Sequence, residues 1–354
     1  MSARLSALAV LALTACTIRE VPQGAEAGMD GARWDTVRVS ERPSFGTAAI
    51  AVAEAEGYFA DQRLVLELEA AAVSTAQLMP ALEQGKLDAV AGVLSIGMLN
   101  AMAHGAPVRI VADRSHFSPT GCSQTWLVAR RGFGDSLARA GALGADGQLA
   151  HPALLRGRTI AVGENTNSGF MVEQLLQRGG MSFADLRVVN LPESAKPQAL
   201  RSAAIDLATI TEPALTPLRK EGQRPIASAG RMMPDGQQSV LVYGPTLLER
   251  EPDVGRRFML AFLAGVRRYN EGPTHRNVEI VARHTGLDAA QVREMCWTPL
   301  RPDGAINVES VLAFQRWANR RGQLDRVVPV EQFWEPGFAR WADSVLGAGA
   351  LGMG

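Results

Sequence analysis

Apolar positions along residues 34–244 switch repeatedly between a period of two and a period near 3.6. After Trp34, Asp35-Thr-Val-Arg-Val-Ser40 alternates as a strand does. Residues 48–56 then form an alanine-rich helix ended by Gly57. Leu64-Val-Leu-Glu-Leu-Glu69 predicts a second strand, and residues 74–84 a helix opened by Ser74 and closed by Gly85. The stretch from Gly85 to Ala112 adds an apolar strand at 88–93, a small-residue turn at Leu94-Ser95-Ile96, a helix from Ile96 and a strand from Val108. That order is the pattern of a parallel sheet covered by helices.

The pattern then repeats. Strands are predicted at 159–162, 186–189, 205–210 and 225–228, with helices at 169–178 and 196–202 and a stop at Gly179-Gly180. The strands at 125–129 and 238–243 mirror one another and read as two crossings between lobes. Residues 113–124 form a polar loop, and 132–152, rich in glycine and alanine, read as a surface excursion. From residue 245 the chain is mostly helical, with helices expected at 254–269, 278–284, 288–295 and 308–320. The expected organisation is a first lobe from 34–124 and 245–354, interrupted by a second lobe at 125–244.

A chain of 354 residues suits two α/β lobes better than one small core. Lysine plus arginine and aspartate plus glutamate both number 36, and no dense basic run occurs, which argues against a broad nucleic-acid surface. Residues 1–16 are not part of the fold. One early positive residue, Arg4, precedes the apolar run from Leu5 to Leu13 and then Thr14-Ala15-Cys16, too short for a permanent membrane span. This resembles a bacterial lipoprotein signal, with Cys16 as the lipidated first residue of the mature protein and residues 17–33 as a flexible tether. Cys122 and Cys296 remain. They could pair outside the cytoplasm, but two separate buried thiols is the favoured expectation.

Turns that leave the carboxyl ends of strands are where open α/β sheets bind ligands, because helix N–H groups converge there. Four such turns carry candidates. Ser44, Phe45, Gly46 and Thr47 follow the first strand, where small residues and hydroxyls serve a ligand or simply cap a helix. Leu94, Ser95 and Ile96 occupy the same position two strands later. Thr166, Asn167 and Ser168 open a helix in the second lobe and combine hydroxyl and amide donors with free N–H groups, suiting a polar or anionic head group. Glu212, before Pro213, fits an amine or ring N–H, or an interlobe salt bridge. Arg114, with His116 nearby, fits a bidentate pair with an acid group, or a solvated loop. Gln124 and Trp126 lie near the first crossing, where the indole stacks on a ligand or fills core.

Chemistry beyond binding finds little support. His104, His116, His151, His275 and His284 have no metal-ligand spacing to one another or to a cysteine pair, so no metal and no cofactor is expected. No Gly-x-Ser-x-Gly elbow and no phosphate-binding Gly-x-x-x-x-Gly-Lys loop is present.

Six segments recur in an order that resembles a known family: Glu54-Ala-Glu-Gly-Tyr-Phe59, Gly85 with Asp88, Ala103-His-Gly-Ala-Pro-Val108, Leu155-Arg-Gly-Arg-Thr-Ile160, 200–206, and Glu212-Pro213. Together, over roughly residues 37–270, they resemble the substrate-binding proteins of ABC importers for sulfonates, taurine, nitrate and thiamine precursors. The resemblance implies an α/β, two-lobed periplasmic-binding-protein fold of type II, with two crossover strands, a ligand cleft between the lobes and closure on binding. It implies a small-molecule ligand, the transmembrane subunits of an ABC permease as partners, and no enzymatic activity. A monomer held to the extracytoplasmic face of a bacterial membrane by its lipid anchor is expected. The cysteine-rich motif of relatives that consume a thiamine precursor is absent. With Phe45, Leu94, Ile96 and Met98 as expected walls, the ligand is read as organic with a polar head, such as a sulfonate or heteroaromatic compound. The alternative is an enzyme or sensor that acts in the same cleft.

Overall fold

The computed structural model describes residues 33–41, 43–70 and 74–348. The signal-like segment, Cys16 and the tether up to residue 32 lie outside the described residues. Among the described residues ten strands occur: β1 Asp35–Glu41, β2 Leu64–Ala70, β3 Ala89–Val93, β4 Arg109–His116, β5 Thr125–Ala129, β6 Thr159–Ala161, β7 Arg187–Val189, β8 Leu207–Thr211, β9 Arg224–Ser228 and β10 Gln237–Tyr243. They form two five-stranded sheets, in the orders β2-β1-β3-β10-β4 and β7-β6-β8-β5-β9.

The two sheets are built alike. In the first, β1 runs parallel to β2 and β3, while β10 lies antiparallel between β3 and β4. In the second, β6 runs parallel to β7 and β8, while β5 lies antiparallel between β8 and β9. The sheets are therefore mixed, where the strand-helix alternation alone predicts parallel ones. The strand at 238–243, placed at the end of the second lobe by sequence, is instead a central strand of the first. Its composition explains the position. Val240 and Val242 join one apolar cluster and Leu241 and Tyr243 another, so the strand is covered on both faces. The crossings are thus the connections from β4 to β5 and from β9 to β10.

The tail helices follow their apolar period closely: Pro252–Tyr269, His275–Thr285, Ala289–Glu294 and Val308–Arg320. Helix Pro252–Tyr269 buries Phe258 and Phe262 beneath the first sheet, each side chain contributing roughly 1.5–3 kcal/mol. It approaches the alanine-rich helix Ala48–Ala55 so closely that a Cβ on Gly265 would stand 2.5 Å from the Ala49 carbonyl oxygen. Helix Val308–Arg320 joins the lobes. Its Phe314 and Trp317 pack on Phe170 of the second lobe, and Trp317 Nε1 donates to Glu173 Oε2 at 2.7 Å. From the segment that follows it, the Gln323 carbonyl accepts from Asn100 of the first lobe at 2.9 Å.

Two further expectations change. The supposed excursion at 132–152 begins with a helix, Arg131–Arg139, whose Phe133 and Leu137 are buried one turn apart. Glycines in that segment masked the period. Cys122 and Cys296 are joined in a disulfide with Cα atoms 5.7 Å apart. The reading as separate thiols fails because neighbours of Cys296 fix that segment: Trp297 meets Phe45 edge-on at 5.3 Å and stacks on Tyr269 at 5.2 Å.

Candidate ligand-binding site

Strand ends of both sheets and the helix starts after them border one cleft of about 660 Å3, within the range of small-molecule sites. The first lobe supplies Ser44 and Gly46 after β1, Ser74, Thr75 and Leu78 at a helix start, Ala91 to Val93 and Ser95 around the end of β3, and Arg114 on β4. The second supplies Thr166 to Ser168 after β6, Glu193, Ser194 and Pro197 after β7, and Thr209 to Ala214 at the end of β8. Gln124 and Gln238 border it at the crossings. Helices Thr75–Glu83, Ile96–Ala103 and Asn167–Arg178 all begin at its edge, so their free N–H groups make the rim electropositive.

Among the described residues, Arg114 is the only lysine or arginine on this lining, and it is buried, 6% exposed. No described residue accepts a hydrogen bond from it, and its Nε is buried without a partner. Burial lowers its pKa to about 10 against the pull of Glu41 and Asp113, which leaves the guanidinium charged at neutral pH. Gly46 explains how the group fits. A Cβ there would stand 3.0 Å from Arg114 Nη1, so glycine lets the guanidinium lie against the turn. Of the two acids on the lining, Glu193 is ion-paired with the buried Lys196 and Glu212 is hydrogen-bonded to Thr216. Among the described residues, the cleft therefore offers one buried cation without a hydrogen-bond acceptor, hydroxyls and short apolar patches.

Residues 34–284 match the NMT1-like family. The chain belongs to that family. A comparison with curated protein sequences finds no match. Among solved structures, the NMT1-like chain is similar to the periplasmic nitrate-binding protein NrtA of Synechocystis PCC 6803, with 14% identity, 89% of this chain and 90% of that one covered, and a TM-score of 0.67. It is similar to the periplasmic aliphatic sulphonate binding protein SsuA of Escherichia coli, with 16% identity, coverage of 85% and 92%, and a TM-score of 0.65. The desulfurization enzyme DszB also shares the fold, with 14% identity, coverage of 87% and 98%, and a TM-score of 0.58. At these identities the likeness is one of fold: two α/β lobes of the periplasmic-binding-protein type.

Several candidates of the NMT1-like chain do not reach the cleft. Phe45, Leu94, Ile96 and Met98 are buried in the core rather than on the walls, because on each turn the apolar side chains turn under the sheet. Thr47 is buried as well, with its hydroxyl 3.0 Å from His284 Nε2. The apolar walls are Leu78, Val93, Ile210 and three prolines, Pro43, Pro197 and Pro213. Asn167 lines the cleft, but its amide donates to the Gln237 and Gln238 carbonyls and so ties the second lobe to β10. Glu212 accepts from the Thr216 hydroxyl at 2.8 Å and its N–H at 3.1 Å, which caps the helix Leu215–Lys220 rather than presenting a free acid. His116 is held by Asp113, and Trp126 lines a separate cavity with Arg219.

Ser95 and Thr166 face each other directly, forming a bridge across the lobes. Ser95 Oγ also accepts from the Met98 N–H at 3.4 Å, an N-cap. Replacing Ser95 by Ala is expected to cost about 0.5–1 kcal/mol in chemical denaturation. Sequence reasoning missed Ser74, Thr75, Glu193, Ser194 and Thr209 to Thr211. The strand-end rule covers Thr209 to Thr211, and Ser74 was visible only as a helix start.

Glu41, the last residue of β1, is 2% exposed, and its Oε2 is buried with no partner among the described residues. Burial pushes its carboxyl from 4.5 up to about 7, although Arg114 and Thr47 pull it down. The folded chain thus binds this proton more tightly than the unfolded chain. Stability from this group is full below the ordinary value and is lost as pH rises through about 7. Between about pH 5 and pH 8 the loss is about 2–3 kcal/mol, and Glu41→Gln is expected to remove it; urea denaturation at the two pH values measures both.

Proposed function

We propose that this chain is the solute-binding component of an ABC importer and takes into its cleft a small organic molecule with an anionic head group. The observation that carries this reading is Arg114, a buried, charged guanidinium on the cleft lining with no hydrogen-bond acceptor among the described residues. A guanidinium in that state suits a bidentate sulfonate, carboxylate or similar group, and the helix starts at the rim favour the same sign of charge. Similarity to a nitrate-binding and a sulphonate-binding protein supports the class. The short apolar walls suit an organic remainder.

Under this reading the protein works at the extracytoplasmic face of a bacterial membrane as a monomer, tethered through a lipidated Cys16, and passes its ligand to permease subunits. Thermal shift across sulfonates, nitrate, pyrimidines and flavins tests it: an anion should raise the midpoint through mass action, and a response confined to neutral compounds overturns it. The same fold in DszB keeps a cleft enzyme as the second reading. Turnover of a stabilising compound on prolonged incubation would establish that reading instead.

A further inference from the structure

We propose that the side-chain carbonyl oxygen of Asn167 is a specificity-determining acceptor, so that the ligand of this cleft carries an O–H or N–H group in addition to its acid. The inference rests on the anion reading of the cleft and adds a second requirement to it. Among the described residues, two buried side-chain atoms of the cleft lining lack a hydrogen-bond partner, Arg114 Nε and Asn167 Oδ1. The first is a donor and belongs to the first lobe. The second is an acceptor and belongs to the second lobe.

The orientation of the Asn167 amide is settled by its neighbours. Its Nδ2 donates to the Gln237 carbonyl at 3.0 Å and to the Gln238 carbonyl at 2.8 Å, which uses both protons. A flipped amide would press Oδ1 against two carbonyl oxygens, so the atom left over is the acceptor. Asn167 is 0% exposed and opens the helix Asn167–Arg178, next to the bridge between Ser95 and Thr166. The two acids on the lining make no comparable demand. Glu212 is satisfied by the Thr216 hydroxyl and N–H. Glu193 pairs with Lys196 through Oε1, and its side chain is 64% exposed, so solvent serves the other oxygen.

Burial makes Asn167 Oδ1 selective. The fold has already removed this oxygen from solvent, so a ligand proton that reaches it gains a hydrogen bond without displacing one. A ligand with an acid alone leaves the oxygen as it was and forgoes that gain. The acid itself has no place there, because its oxygens would meet the lone pairs of Oδ1. The acid therefore goes to Arg114 and the donor to Asn167, and a ligand that satisfies both spans the two lobes.

Hydroxyalkanesulfonates and hydroxycarboxylates of two to four carbons, with the hydroxyl at the far end from the acid, serve as probes. Each is compared with the parent acid lacking the hydroxyl and with its methyl ether, which keeps the oxygen and loses the proton. In calorimetry at least one hydroxy acid is expected to bind wild type roughly 10- to 100-fold tighter than both of its partners. In Asn167→Ala that ratio is expected to fall below about threefold, whatever the absolute affinity. The thermal midpoint of the unliganded variant reports separately on the lost ties to Gln237 and Gln238, and if the variant does not fold, the wild-type series decides alone. Acids that bind while no hydroxy compound gains over its partners, or a preference that survives in Asn167→Ala, overturn the assignment and leave the anion site standing. Failure of every acid to bind wild type overturns the anion reading itself, and this inference with it.

Discussion

Arg114→Gln is expected to lower affinity for an anionic ligand by roughly 30- to 1000-fold, the equivalent of about 2–4 kcal/mol. The size follows from burial. A guanidinium already stripped of water, and without an acceptor among the described residues, gives up little when it engages an acid, whereas an exposed arginine would first have to shed its hydration. The unliganded variant loses no hydrogen bond to a described residue, only the attraction of Glu41 and Asp113, which the burial of the guanidinium opposes, so its stability is expected to stay within about 1–2 kcal/mol of wild type. Arg114→Lys should recover only part of the affinity, because an ammonium lacks the planar fork. Calorimetry with the best compound from a thermal-shift panel decides the matter, and binding within about threefold of wild type would remove Arg114 from the site.

Removing the Cys122–Cys296 bridge is expected to have the largest effect on stability. It closes a loop with a sequence separation of 174, for which chain entropy alone gives up to about 5 kcal/mol. Cys122→Ser with Cys296→Ser should lower the thermal midpoint by several degrees or more, and reductant should do the same to wild type but not to the variant. Equal midpoints in wild type and variant would mean that the aromatic packing of Trp297 holds this segment unaided.

Much of the architecture was legible because apolar period and strand-end turns are local signals. The helix at 308–320 was expected with the bounds it has, since Val311, Phe314, Trp317 and Ala318 repeat along one face. The lining of the candidate cleft was legible to a similar depth. Ser44, Gly46, Ser95, Arg114, Gln124, Thr166 to Ser168 and Glu212 all border one cleft, because a turn after a parallel strand opens toward the same edge of each sheet. What was hidden depends on contacts far apart in sequence. Nothing near residue 238 reveals that its strand inserts between β3 and β4, and nothing near Cys122 points to Cys296. Leu94 and Ile96 misled for a different reason. A turn fixes where its backbone lies, but an apolar side chain rotates toward the core whenever one is in reach, leaving Ser95 alone at the rim.

The bridge has one more consequence, which concerns what happens when the chain is cut. Cys122 precedes the first strand of the second sheet and Cys296 follows the last, so that entire sheet lies on a covalently closed ring. A protease that nicks any exposed loop between the two cysteines opens the ring without releasing a fragment. The nicked protein migrates as one molecule on a denaturing gel and separates into two pieces only once the thiols are reduced.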